Sequence, residues 1–122
     1  MSEPFHEMKM NEFVFLYRGG SRDGSPAEMQ QVMQKWMNWF KELAEKGHVK
    51  DRGQPLERTG KMVKGRQKTV TDGPFAEVKD IVGGYTLIAA RDLDQAVELS
   101  KGCPILERDG AVEVRPVMKL NM

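Results

Sequence analysis

The stretch TDGPFAEVKDIVGGY, Thr71 to Tyr85, gathers a carboxylate, a lysine, further acids and a glycine pair. Asp72 stands before Gly73-Pro74, where an aspartate readily closes an Asx-turn on its own backbone while proline sets the next φ. The same carboxylate, partly desolvated at the mouth of a cleft, has the chemistry of a general base or a ligand anchor. Lys79, beside Glu77 and Asp80, could hold an anionic substrate or lower the pKa of Asp72 by ion pairing. It reads equally as part of an exposed charged loop. Arg115, in the closing VEVRPV, has the fork geometry of an anion clamp, or it pairs with an acid on a neighbouring strand. Gly83 and Gly84 let a backbone bend or pass close to a partner and carry no chemistry themselves. Such a set, with Trp36 as an aromatic wall, suits proton abstraction or isomerisation of a small organic molecule without a cofactor.

Other constellations are weaker. RGGSRDGSP has glycines before a helix start, but it lacks the P-loop lysine and puts Pro26 where a backbone donor is needed, so nucleotide binding is rejected. Lys64, Arg66 and Lys68 would share one face of a strand; with no aromatic residue between them they read as a charged edge that discourages pairing, and no nucleic acid is expected. His6 and His48 are far apart and Cys103 has no cysteine partner, so no metal site is expected. Cys103 follows a helix end, without the helix-start field that lowers a thiol pKa, and reads as a small buried hydrophobe.

The elements that must position these groups are legible in turn. Residues 1–9 have no periodicity and read as a flexible tail; residues 10–122 read as one domain. NEFVFLYR is a strand with Phe13, Phe15 and Tyr17 on one face and Val14 and Leu16 on the other. SPAEMQQVMQKWMNWFKELAEKG is a helix with Ser25 as cap, Pro26 first, Glu28 closing a capping box and Gly47 at its end. Its apolar residues, Met29 to Ala44 and including Trp36 and Trp39, span an arc of roughly 160°, wider than the ~100° needed to sit on a sheet. The surplus implies a pocket or a second subunit. HVKDRGQPLE and KMVKGRQKTVT are weaker strands. GGYTLIAARD is a further strand, Asp92 caps a second helix stopped by Gly102 and Pro104, and AVEVRPV closes with Val112 and Val114 facing the core. This order fits an α+β, ferredoxin-like βαββαβ sheet with two helices on one face and room for an extra hairpin strand. The opposite apolar face needs a cover, most simply a second copy, so a homodimer is expected.

With 122 residues, 39% hydrophobic and 30% charged, the chain fits a single globular domain. A net charge of +1 gives no global attraction to nucleic acid or to anionic lipid. No apolar run approaches the ~20 residues of a membrane span, MSEPFHEMKM lacks a signal-peptide core, and a lone cysteine agrees with a reducing compartment. A cytoplasmic location is expected.

In Asp72, Gly73, Pro74, Phe75, Glu77, Lys79, Gly83 and Gly84, in Cys103-Pro104 and in the closing Val112 to Val117, the chain resembles the DGPF-domain proteins, part of the wider YCII-related family. The resemblance covers nearly the whole chain from Lys9 onward. It implies a ferredoxin-like sheet paired into a dimeric α/β barrel, a framework shared with muconolactone isomerase and small monooxygenases as an analogy of fold alone. Some members sit in genomes beside extracytoplasmic-function sigma factors. The YCII branch is proposed to be enzymatic through a histidine and an aspartate that meet in its cleft. By placement these fall near Trp36 and at Cys103, so that pair is absent here. Two functions follow as expectations. One is a small homodimer with a cleft for a small organic ligand, acting as a cofactor-free acid/base enzyme through Asp72, with Trp36, Lys79 and Arg115 binding. The other is a non-catalytic ligand-binding or regulatory module, linked to sigma-factor-dependent transcription.

Overall fold

The computed structural model describes residues 10–73 and 78–120. The N-terminal tail expected over residues 1–9, and Pro74, Phe75 and Glu77 of the DGPF stretch, lie outside the described residues. Among the described residues, six strands and two helices follow one another as β1 (Asn11–Gly19), α1 (Pro26–Glu45), β2 (Val49–Asp51), β3 (Gly60–Lys64), β4 (Thr69–Gly73), β5 (Val82–Ala90), α2 (Leu93–Ser100) and β6 (Gly110–Pro116). Short 3-10 turns lie at Val78–Asp80 and Pro104–Arg108. The main sheet has the order β2-β5-β1-β6 with every pair antiparallel. With the β3–β4 pair set aside, the chain runs β1-α1-β2-β5-α2-β6, two interleaved split βαβ units, which is the ferredoxin-like α+β fold.

The alternation read in β1 is the alternation of its burial. Phe13, Phe15 and Tyr17 are buried, and they meet Ile88 and Ala90 of β5, Trp39 and Leu43 of α1 and Ala96 of α2 in one core. Burying each large member of such a cluster is worth roughly 1.5–3 kcal/mol. The Phe15 and Trp39 rings stack with centroids 6.0 Å apart and planes at 14°. Val112 and Val114 of β6 pack on the same cluster. On the opposite face Val14 pairs with Leu87 and Leu16 with Tyr85, and these residues are only half-buried.

Helix α1 begins as its sequence requires: the Ser25 hydroxyl accepts from Glu28 N at 3.1 Å and the Glu28 carboxylate accepts from Ser25 N at 3.0 Å. The Ser25 backbone and hydroxyl hold the Glu28 carboxyl below its ordinary value. Asp92 caps α2 by accepting from Gln95 N at 2.8 Å. The Gln95 side chain reaches one residue further back than a capping box would, to Arg91 N at 2.7 Å.

KMVKGRQKTVT departs from the expected single strand. It is a hairpin, β3 and β4, folded at Gly65, whose φ is +71°, and closed by Lys68 N donating to Gly65 O at 3.0 Å. Arg66 and Lys68 therefore lie in the turn rather than alternating with Lys64 on one strand face. β3 and β4 pair only with each other, and every residue of β3 is exposed. Of HVKDRGQPLE only Val49–Asp51 is a strand, followed by an isolated bridge from Pro55 to Gly84. Among the described residues no helix is long and apolar enough to cross a membrane.

Candidate functional site: a cleft between the long helix and the sheet

Two irregular segments frame the open end of α1. The first, residues 19–24, leaves β1 through Gly19 and Gly20 with φ of +64° and +85°. Its carbonyls are held by guanidinium groups: Arg108 Nε donates to Ser21 O at 2.8 Å and its Nη2 to Asp23 O, while Arg58 Nη2 donates to Gly20 O at 2.6 Å. The second, residues 52–56, runs along the edge of β5. Leu56 N donates to Gly83 O at 2.9 Å and Tyr85 N to Gln54 O at 3.3 Å.

That approach explains Gly84, whereas Gly83 meets only the movable end of a side chain. A Cβ on Gly84 would stand 3.1 Å from Gln54 O, and one on Gly83 would stand 2.8 Å from Arg22 Nη2. Gly53, at φ +74°, is tighter still, since a Cβ there would fall 1.8 Å from Tyr85 O.

Between these segments lies a cleft of about 450 Å³. Its size is within the range of small-molecule sites. One wall is α1, through Met29, Val32, Met33, Trp36, Met37 and Phe40; the other is the sheet, through Tyr17 and Thr86. The surplus width of the apolar stripe of α1 is used here. Trp39 and Leu43 face the core, whereas Met33 and Met37 are left 62% and 41% exposed. Trp36 stands edge-on to Tyr17 with ring centroids 4.9 Å apart.

The polar atoms on the sheet wall form a short chain. The Tyr17 hydroxyl donates to Thr86 Oγ1 at 2.7 Å, and the Thr86 hydroxyl donates to Arg52 O at 2.9 Å. Burial pushes the Tyr17 phenol well above its ordinary value, with the Thr86 bond partly opposing. Tyr17 therefore stays protonated and neutral throughout the physiological range. Three guanidinium groups, Arg22, Arg52 and Arg108, border the same space. Arg22 Nη2 donates to Leu56 O at 3.1 Å. Arg52 lies over the Phe40 ring, 5.1 Å from its centroid, with Nη2 2.7 Å from Met37 Sδ.

Of the residues read from the sequence as site candidates, Trp36 borders this cleft and Asp72, Lys79 and Arg115 do not. Asp72 lies on β4 directly across from Lys61 of β3 and is ion-paired with it; its side chain is 83% exposed. Lys79 reaches the rim through its backbone, because a Cβ on Gly19 would stand 2.8 Å from Lys79 Cα; its side chain is exposed. Arg115 is on the sheet face away from the helices, its Nε 3.9 Å from Glu113, which also accepts from Arg18 Nε at 2.6 Å. Trp39 is behind the cleft, its indole Nε1 donating to Leu99 O at 3.3 Å. Cys103 is buried, and burial pushes its thiol up to about 12.

Tyr17, Thr86 and the three arginines escaped a reading of motifs. Thr86 had one signal, being the only hydroxyl on the inward face of an otherwise apolar strand. The arginines had none, since they lie 30 or more positions apart and only the fold assembles them.

No curated protein matches the chain. The model of the YCII-related domain matches residues 13–121, spanning both split βαβ units and all of the cleft. The chain therefore belongs to the YCII-related family.

Proposed function

We propose that this protein binds a small organic molecule in the cleft between α1 and the sheet, and that it does so as a homodimer. The observation that carries the reading is the apolar surface left open on α1. Methionines and Trp36 that could have closed on the sheet instead line a space of about 450 Å³, beside a neutral Tyr17–Thr86 pair. Adaptable thioethers and a rigid indole suit a flat apolar ligand. Binding without conversion is favoured over acid/base catalysis, because Asp72 is engaged by Lys61 on the hairpin and no carboxylate among the described residues borders the cleft.

A panel of small aromatic and alicyclic compounds, followed by thermal shift and tryptophan fluorescence, tests this. Compounds that bind should quench Trp36 emission, and filling the cleft by Val32→Trp should abolish their effect. Binding that survives Val32→Trp would place the ligand elsewhere. A bound compound released in altered chemical form would restore the enzymatic reading.

The dimer rests on the other face of the sheet. Val14, Leu16, Tyr85 and Leu87 form a half-buried apolar patch there, flanked by Arg18, Glu113 and Arg115. The exposed Met62, Val63 and Val70 of the hairpin add apolar surface that an isolated two-stranded ribbon cannot bury by itself.

A further inference from the structure

We infer that the ligand of this cleft is an organic carboxylate with a flat apolar body, its carboxylate received by Arg52, with Arg22 and Arg108 adding positive charge further along the rim. The inference rests on the binding reading above and adds the charge of the ligand to it.

Three guanidinium groups border the cleft, and among the described residues neither an aspartate nor a glutamate does. In a chain with a net charge of only +1, that is a local imbalance which the overall composition does not explain. Arg22 and Arg108 spend donors on neutral backbone carbonyls, Leu56 O for the first and Ser21 O and Asp23 O for the second. Those bonds orient the groups without neutralising them. Arg108 also feels the Glu28 carboxylate, which is bonded in the Ser25 cap.

Arg52 is the least satisfied of the three. Its partners at the cleft are a thioether sulfur and an aromatic face. Sulfur is a weak acceptor for a charged donor. A guanidinium carries five N–H donors in a planar fork, and a carboxylate is the small group that takes two of them at once. Arg52 leaves β2 just after an irregularity in its pairing with β5, and its own carbonyl is fixed by Thr86. The backbone under the fork is therefore held.

The rest of the lining selects the body. Trp36 and Phe40 offer aromatic faces and the methionines adapt to shape. So apolar a wall suits a singly charged head group, since a phosphate dianion would need more donors to offset its desolvation.

The test uses matched sets with one body and three head groups: benzoate, cinnamate, 2-naphthoate and indole-3-acetate, each with its primary amide, plus 2-naphthyl phosphate. Affinities are measured calorimetrically on the full chain at low and at high salt. At least one acid is expected to bind about tenfold or more tighter than its amide, and to weaken with salt. Arg52→Gln should weaken the acid more than its amide and so remove most of that difference, and Arg52→Lys should restore part of it. Near-UV circular dichroism checks that both variants keep the parent fold. Acid and amide binding equally well to the parent would overturn the carboxylate assignment and leave the cleft reading standing. A naphthyl phosphate tighter than naphthoate would also overturn it, in favour of a phosphate ester. If neither acids nor amides bind, or binding ignores Val32→Trp, the cleft reading falls and the carboxylate falls with it.

Discussion

At Gly53 a single side chain decides whether the cleft has an edge. Any Cβ there would fall 1.8 Å from Tyr85 O, at a positive φ that L-residues resist. Gly53→Ala is expected to destabilise the fold by about 2 kcal/mol or more in urea melts. Gly47→Ala, where nothing stands within 4 Å of a Cβ, provides the comparison for φ alone. Two buried groups set the response to alkali. Cys103 is pushed from 9.0 up to about 12, and Tyr17 is raised from 10.0, each chiefly by burial. A group whose pKa is raised in the folded state stabilises fully below its unfolded value and loses that contribution as pH climbs toward the folded one. Urea midpoints are therefore expected to be flat from about pH 6 to about pH 8 and to fall above about pH 9, with Cys103→Ala removing the earlier part of the fall. A midpoint unchanged to pH 10.5 would contradict the burial of the thiol.

At the scale of elements, the helix starts and the hairpin behave differently. Removing the α1 cap by Ser25→Ala should cost about 1 kcal/mol, read as a lower urea midpoint at constant slope. The Asp72–Lys61 pair of the hairpin joins side chains that are 83% and 66% exposed. Exposed pairs contribute ~0–1 kcal/mol. Asp72→Asn is accordingly expected to shift stability by no more than about 0.5 kcal/mol. A loss of several kcal/mol would mean that the carboxylate is buried in an assembly, against a neighbour that a single chain does not contain. The amides of β3 and β4 should also exchange with solvent well before those of β1 and β5.

At the scale of the molecule, the proposed association is tested on the outer sheet face. If a second copy covers Val14, Leu16 and Leu87, sedimentation should give about twice the 13.9 kDa chain mass at micromolar concentration. Leu87→Glu, which puts an unpaired charge into that patch, should then shift the chain to monomer without disturbing the core on the other face. A parent chain that is already monomeric would remove the dimer from the proposed function.

Periodicity and capping are local, and the sequence alone determined what depends on them. The two-sided alternation of β1, the inward face of β6, the start of α1 at Pro26 and the cap at Asp92 all follow from side-chain spacing and from hydrogen bonds three residues long. The excess apolar arc of α1 likewise announced that the sheet does not use the whole stripe of that helix. The turn that splits KMVKGRQKTVT into a hairpin was harder to read, because Gly65 interrupts a run whose residues otherwise alternate plausibly as one strand. The cleft itself belongs to tertiary structure. Tyr17 and Thr86 meet only because β1 and β5 pair. Arg22, Arg52 and Arg108 border one cleft only because a loop, the segment after β2 and a 3-10 turn fold beside the same helix. A carboxylate beside a turn, such as Asp72, is conspicuous in a sequence, whereas guanidinium groups gathered from three distant segments leave no pattern until the chain folds.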